Sequence, residues 1–190
     1  KLKEKNMKQK RFRWANAHKF IALIFYYGLF RYFPASSFPI VGSISKKLRG
    51  LCGKIIFKKC GKNVNIERGA VFGCGFDIEI GDRSGIGINA HIPSDTIIGN
   101  NVNMGPQVFI LDRNHRIDRT DIIMQEQGYT PPRQTIIGDD VWIGRQVTMT
   151  PGRTISKGSV IGACCLLCKD FPEYSVIGGN PSKLIKNRRG

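Results

Sequence analysis

Long apolar runs are missing from this chain. No stretch of its 190 residues reaches the roughly 18–20 apolar positions that span a bilayer. Acidic residues are scarce: 14 Asp and Glu stand against 30 Lys and Arg, a formal charge of +16. The 41% of hydrophobic residues nevertheless excludes a disordered polycation. Six cysteines (Cys52, Cys60, Cys74, Cys164, Cys165 and Cys168) are too few for a disulfide-stapled miniprotein. Cys165 and Cys168 have CxxC spacing, but zinc needs a second such pair and the chain has none. The cysteines are read mostly as small buried side chains in a reducing compartment. Glycines number 22 and prolines 9, yet no G-X-Y triplet repeats, which excludes collagen.

The positive charge flanks the chain rather than striping it. Lys1–Arg13 holds seven cations against Glu4 alone, a second group runs from Lys46 to Lys62, and the tail holds Lys183, Lys186, Arg188 and Arg189. No base-stacking or groove-reading motif accompanies them, so nucleic acid is not the expected partner. Solvated ends are the plain interpretation. The functional ones are an acidic lipid surface for the N-terminal groups and a phosphorylated ligand for the tail.

A period of six organises the middle. Ile80, Ile86, Ile92, Ile98, Met104 and Ile110 fall six apart, and so do Ile137, Ile143, Met149, Ile155, Ile161 and Leu167. Glycine often follows, and the fifth position is mostly small or β-branched, as at Ser84, Ala90, Val102, Val141 and Ser159. Six fits neither a helix nor a plain strand. It fits a short strand and a tight corner, three of which close an 18-residue triangular coil. Irregular hexads from Cys60 to Asp77 and a two-residue slip at Ile78–Glu79 precede the first clean block. The expected fold is all-β, a parallel β-helix of about five coils.

These hexads resemble the hexapeptide-repeat transferases, whose prism is a left-handed β-helix. Ile137-Gly-Asp-Asp-Val-Trp-Ile-Gly144 and Gly178-Gly-Asn-Pro-Ser-Lys-Leu-Ile-Lys186 are similar to the maltose, galactoside and capsular-sugar O-acetyltransferase branch. The resemblance implies acetyl-CoA as co-substrate, a sugar hydroxyl as acceptor, a homotrimer, no metal and a cytoplasmic location. It covers about Cys60–Arg188. The expected layout is an N-terminal helical segment over 1–59, the β-helix over 60–172 and a tail over 173–190.

Residues 116–136 interrupt the repeat, and long loops in regular solenoids are usually functional. His115 stands where that loop leaves the prism, and Asp112-Arg-Asn-His115 is similar to the family's catalytic segment. An imidazole titrates near neutrality and suits removal of a hydroxyl proton during attack on a thioester. Asp112, Asn114 and Glu126 are candidates to orient it, with Glu126 preferred; a solvated loop carboxylate is the plain alternative. The resemblance further implies that Arg145, Gly162 and Ala163 line the pantetheine arm and that Lys183 and Lys186 meet CoA phosphates. Cys168-Lys169 stands where the family has Thr-Lys. Asn89 and Asp95 are the nearest matches to the family's acceptor-binding Asn and Asp, but Asn89 is displaced by two positions. Both also suit prism corners, so maltose or galactoside is not the expected acceptor.

Phe20–Phe30 is an uncharged aromatic run ended by Arg31 and Pro34. Its bulky aromatics, with the implied need for acetyl-CoA, argue against a secretory signal. Two interpretations stand: a helix that caps the first coil, or one lying on a membrane with Lys1–Arg13 meeting anionic lipid, which would suit a lipid-linked saccharide acceptor. Serine or xenobiotic acetylation, a zinc enzyme using His91 and His115, and a non-catalytic membrane scaffold are the alternatives. His18 lies outside the prism, which leaves a three-histidine zinc site short of a ligand.

Overall fold

A computed structural model describes residues 16–190; the basic segment Lys1–Arg13 lies outside the described residues. Two helices, α1 (Ala17–Gly28) and α2 (Val41–Ile56), precede a parallel β-helix. Each strand within the repeat is only two residues long, because the chain turns a corner within every six residues.

Three faces repeat. The first stacks β1 (Lys59–Cys60), β3 (Glu79–Ile80), β5 (Ile97–Ile98), β8 (Ile136–Ile137) and β11 (Thr154–Ile155). The second stacks β2 (Asn65–Ile66) on β4 (Gly85–Ile86). A bond from the Gly85 N–H to the Val102 C=O (3.0 Å) carries the stack on to β6 (Asn103–Met104), β9 (Trp142–Ile143), β12 (Val160–Ile161) and β14 (Ser175–Gly178). The third carries single bridges at Val71 and His91, then β7 (Phe109–Ile110), β10 (Thr148–Met149) and β13 (Leu166–Leu167). Five full coils result, and Phe171, which bridges Ile155 on the first face, begins a sixth that β14 continues. The chain then reverses, and β15 (Lys183–Asn187) pairs antiparallel with β14.

All twelve clean hexad residues point inward and are buried, with Ile86, Ile143, Met149 and Ile161 fully so. Burying one such side chain stabilises the fold by roughly 1.5–3 kcal/mol. Successive coils are offset by 18 residues, as at Glu79↔Ile97, but by 20 at Lys59↔Glu79. The extra pair lies in the corner between Phe72 and Ile78, where Gly73 and Gly75 adopt positive φ.

The helices cap the first coil, the first of the two interpretations of the Phe20–Phe30 run. α1 ends at Gly28, short of Pro34. The Tyr26 hydroxyl donates to the Ala70 C=O and the Tyr27 hydroxyl to the Gly73 C=O, both at 3.0 Å. The Tyr26 and Phe57 rings pack on Phe72. From α2 the fully buried Arg49 donates to the carbonyls of Ile66 (2.6 Å) and Pro34 (3.1 Å). No helix among the described residues is long and apolar enough to cross a membrane.

The cysteines depart from expectation. Cys52 and Cys165 are buried and Cys60 and Cys168 half-buried, but Cys74 and Cys164 are exposed. Both exposed thiols sit at corners: Cys74 between Gly73 and Gly75, and Cys164 in the left-handed region at φ 60°. All six are free.

Candidate active site

The loop leaves the prism after β7 and returns at β8, and the offset Ile98↔Ile137 of 39 residues against the usual 18 measures the insertion. Its root is a short antiparallel ladder. Arg116 N–H donates to Gly128 C=O (3.0 Å), Thr130 N–H to Asn114 C=O (2.8 Å), and Arg133 N–H to Asp112 C=O (2.8 Å). His115 pairs with Tyr129 in that ladder, and their rings lie 4.2 Å apart. Both side chains are exposed at an open recess of about 490 Å³, lined also by Leu111, Asp112, Arg113 and Asn114.

Asp112 and His115 therefore share one recess, but the Asp112 carboxylate accepts from Arg113 Nε (2.9 Å) and not from the imidazole. Glu126 lies on the exposed 3-10 turn Met124–Glu126, outside the recess. The imidazole makes no hydrogen bond within the described residues. The sequence pattern gave no pointer to Tyr129 or Thr130, whose hydroxyl accepts from the Asn114 N–H (3.0 Å). Both lie beyond the repeat, where no period exposes them.

The candidate cofactor residues flank the third face. On the edge entering it, Gly144-Arg145 and Gly162-Ala163 stack on successive coils. A Cβ on Gly144 would lie 2.6 Å from Ala163 N, so only glycine permits this approach. The neighbouring amides are paired: Gln146 N–H with Pro106 C=O and Cys164 N–H with Arg145 C=O. The N–H groups of Arg145 and Ala163 themselves have no acceptor within the described residues. At the same step of the edge entering the second face, side chains fill that role. Asp82 accepts from Lys62 N–H (2.8 Å), Asn100 from Asp82 N–H (2.8 Å), and Asp139 from Asn100 N–H (2.6 Å). That ladder covers the first three coils; on the fourth and fifth, the Asp139 and Lys157 N–H groups, like those of Arg145 and Ala163, have no acceptor within the described residues.

On the opposite edge lie Cys168 and Lys169. Hydrogen bonds with Ser182 hold the Cys168 thiol below its ordinary pKa, its N–H donating to the Ser182 hydroxyl (3.2 Å) and its Sγ lying 3.4 Å from it. The tail turn crosses below the third face, with Leu166 N–H donating to Gly179 C=O and Ser182 N–H to Leu166 C=O. Lys183 and Lys186 are three apart and would face opposite ways on a regular strand. A bulge opposite Val176/Ile177 sets them against Gly178 and Val176, two residues apart on β14, so both share the outer side.

Asn89 and Asp95 bracket the third face on the second coil. Asn89 is a corner residue at φ 52°, its amide oxygen stacked against Gly69. Asp95 stands beside the loop root, its C=O accepting from Gln134 Nε2 (2.7 Å). Along the prism axis the order is therefore Asn89 and Asp95, then His115, then Arg145 and Ala163, then the tail lysines. Among the described residues no group of three His, Cys, Asp or Glu side chains is disposed to hold a metal.

A model of the bacterial transferase hexapeptide family (six repeats) matches residues 77–112. A putative acetyltransferase of Saccharomyces cerevisiae is 36% identical over 144 residues, 75% of this chain and 69% of that protein. The structure of a maltose O-acetyltransferase from Clostridium difficile 630 superposes with a TM-score of 0.62 at 33% identity, covering 74% of this chain and 75% of the other. A galactoside acetyltransferase in complex with coenzyme A gives a TM-score of 0.73 at 28% identity, covering 90% and 80%. Of two further acetyltransferases that it matches, the chain spans 29% and 38% of the length. The repeat, the interrupting loop and these likenesses together establish that the chain belongs to the hexapeptide-repeat acetyltransferases of the left-handed β-helix, in the branch of the maltose and galactoside enzymes.

Proposed function

We propose that this protein transfers the acetyl group of acetyl-CoA to a hydroxyl of a saccharide, with His115 as general base. The observation that carries this reading is the exposed, unbonded imidazole at an open recess on the rim of the prism. The imidazole takes the acceptor's hydroxyl proton as its oxygen bonds to the thioester carbonyl carbon. As the carbon–sulfur bond breaks, the proton passes to the departing sulfur, so the products are the acetyl ester and free CoA thiol. The open N–H groups of Arg145 and Ala163 suit the amide carbonyls of a pantetheine arm, and Lys183 and Lys186 suit its phosphates. Cys168 is not required as a nucleophile, because transfer is direct. Glu126 and Asp112 are assigned to support of the imidazole once the loop meets its substrates, and Asn89 and Asp95 to the acceptor.

His115 and the open amides lie on opposite edges of one face, about five extended residues or on the order of 15 Å apart. That separation supports a site completed between copies, one protomer's loop edge meeting its partner's amide edge, as a homotrimer would arrange. The acceptor is assigned to a capsular, O-antigen or related saccharide. A thiol-release assay with a panel of saccharides, serine and chloramphenicol-type alcohols tests this reading. Acetyl-CoA turnover with saccharides alone is expected; turnover confined to serine or the xenobiotic alcohol would overturn the substrate class.

A further inference from the structure

Capping explains only one side of the helical pair. α1 buries Ala22 and Tyr26 toward the prism, while Ile21, Ile24 (72% exposed), Phe25 and Leu29 face outward. α2 presents Ile44 and Leu51 on its outer side, and the segment between the helices adds Phe38 and Ile40 (86% exposed). Between the two helices Ile21, Phe25, Phe30, Leu51 and Ile55 line one open apolar groove of about 480 Å³. Contiguous exposed apolar surface of this kind marks an interaction site.

The rim of that surface is basic. A second recess of about 470 Å³ shares Leu51 with the groove and is lined by Lys46, Lys47 and Lys54. Lys47 and Lys54 stand four before and three after Leu51, on the same side of α2. Among the described residues up to Ile66 the chain holds nine Lys and Arg, of which Arg49 is buried, and no Asp or Glu. A second copy seated by two-fold symmetry would press two acid-free cationic surfaces together, which like-charge repulsion opposes. Protruding isoleucine, leucine and phenylalanine beside lysines that can extend past them match a bilayer interface carrying negative headgroups.

We propose that the outer face of the helical pair, centred on Ile24 and Leu51 and rimmed by Lys47 and Lys54, docks the protein on an anionic lipid bilayer. This surface is distinct from the His115 recess, and its test involves no acetyl transfer, so the two readings stand or fall separately. The full chain is sedimented with vesicles of phosphatidylcholine alone or mixed in equal parts with phosphatidylglycerol. The protein should pellet with the mixed vesicles and stay in solution with the neutral ones. Lys47→Gln with Lys54→Gln should weaken the mixed-vesicle partition about 25-fold, from roughly fivefold per cation at such a surface. Ile24→Glu with Leu51→Glu should abolish it. Circular dichroism melting and gel filtration monitor folding, and the lysine pair, exposed and outside every packing contact described above, keeps the test decisive if the apolar variant misfolds. Absence of pelleting with anionic vesicles, or wild-type partition by the lysine pair, would overturn the proposal. So would a Leu51→Glu variant that splits an oligomer while the wild type ignores vesicles, since a second copy would then be the occupant.

Discussion

Glu67 follows the second strand, yet it is tied to both the helices and the prism. Its carboxylate accepts from the Ser36 hydroxyl and from Ser36 N–H (3.0 Å) and Asn65 Nδ2 (2.8 Å), and it faces Arg49 at 3.6 Å. Burial alone would push its pKa up; the hydrogen bonds from Ser36 and Asn65 and the Arg49 charge outweigh this and hold it below the ordinary glutamate value. A depressed folded pKa contributes stability that is complete above the unfolded value, about 4.3, and is lost as pH falls through the folded value. Glu67→Gln is therefore expected to cost about 1–2 kcal/mol at pH 7. The gap from wild type should shrink below about pH 4, as read by urea unfolding across pH. A deficit that stays constant with pH would contradict this account of Glu67. Cys164 offers a second probe. It is exposed and adjoins Ala163, whereas exposed Cys74 sits on the first coil. Acetyl-CoA should slow alkylation of Cys164 and leave Cys74 unchanged in peptide mass mapping; equal rates would move the pantetheine arm off this edge. His115 was legible in the sequence because a break in a strict period marks it, whereas nothing periodic marks Tyr129. Nearness in sequence suggested Asp112 and the family resemblance suggested Glu126 as partners for the imidazole, but neither carries information on side-chain direction, and the structure turns Asp112 toward Arg113.

Strands two residues long have little intrinsic stability, so the prism depends on stacking. This made it legible: each inward residue and each close-packed glycine must recur at the same step, and twelve hexads declare it. α2 was not legible. Its buried side is Gly42, Ser45, Arg49, Cys52, Gly53 and Ile56, a helical spacing of mostly small and polar residues that hydropathy does not reveal. Close approach explains the choice at Gly42, where a Cβ would lie 2.5 Å from the Ser36 carbonyl oxygen. The same argument gives a prediction for the open edge. Gly144→Val would drive side-chain atoms into the backbone of Ala163 and part the fourth and fifth coils. It should destabilise the fold by about 1–3 kcal/mol, a typical overpacking cost, and weaken coenzyme A binding measured by calorimetry. A variant with the wild-type melting point and affinity would contradict the assigned close packing.

The molecule is polar along its axis: basic, apolar-faced helices at one end, a nearly neutral prism bearing the loop, and a cationic tail at the other. The positions of Lys and Arg in the sequence alone showed that the charge flanks the repeat. Only the fold shows that the tail lysines share a side through a bulge and that the helices cap one end while exposing Ile24 and Leu51. His115 stands on the third coil, two rungs of about 4.8 Å from the capped end. Docking through the helices would thus bring its recess near the headgroups of a bilayer, in reach of a lipid-linked saccharide. The proposed acetyl transfer depends on the imidazole at the rim. The most direct measurement compares thiol release from acetyl-CoA by the wild type and by His115→Ala, with a saccharide acceptor at saturation. Loss of roughly 10²–10⁴ in kcat is predicted, with coenzyme A affinity and melting temperature unchanged, since the side chain is exposed and unbonded. A variant that turns over within a few-fold of the wild type would contradict the central claim.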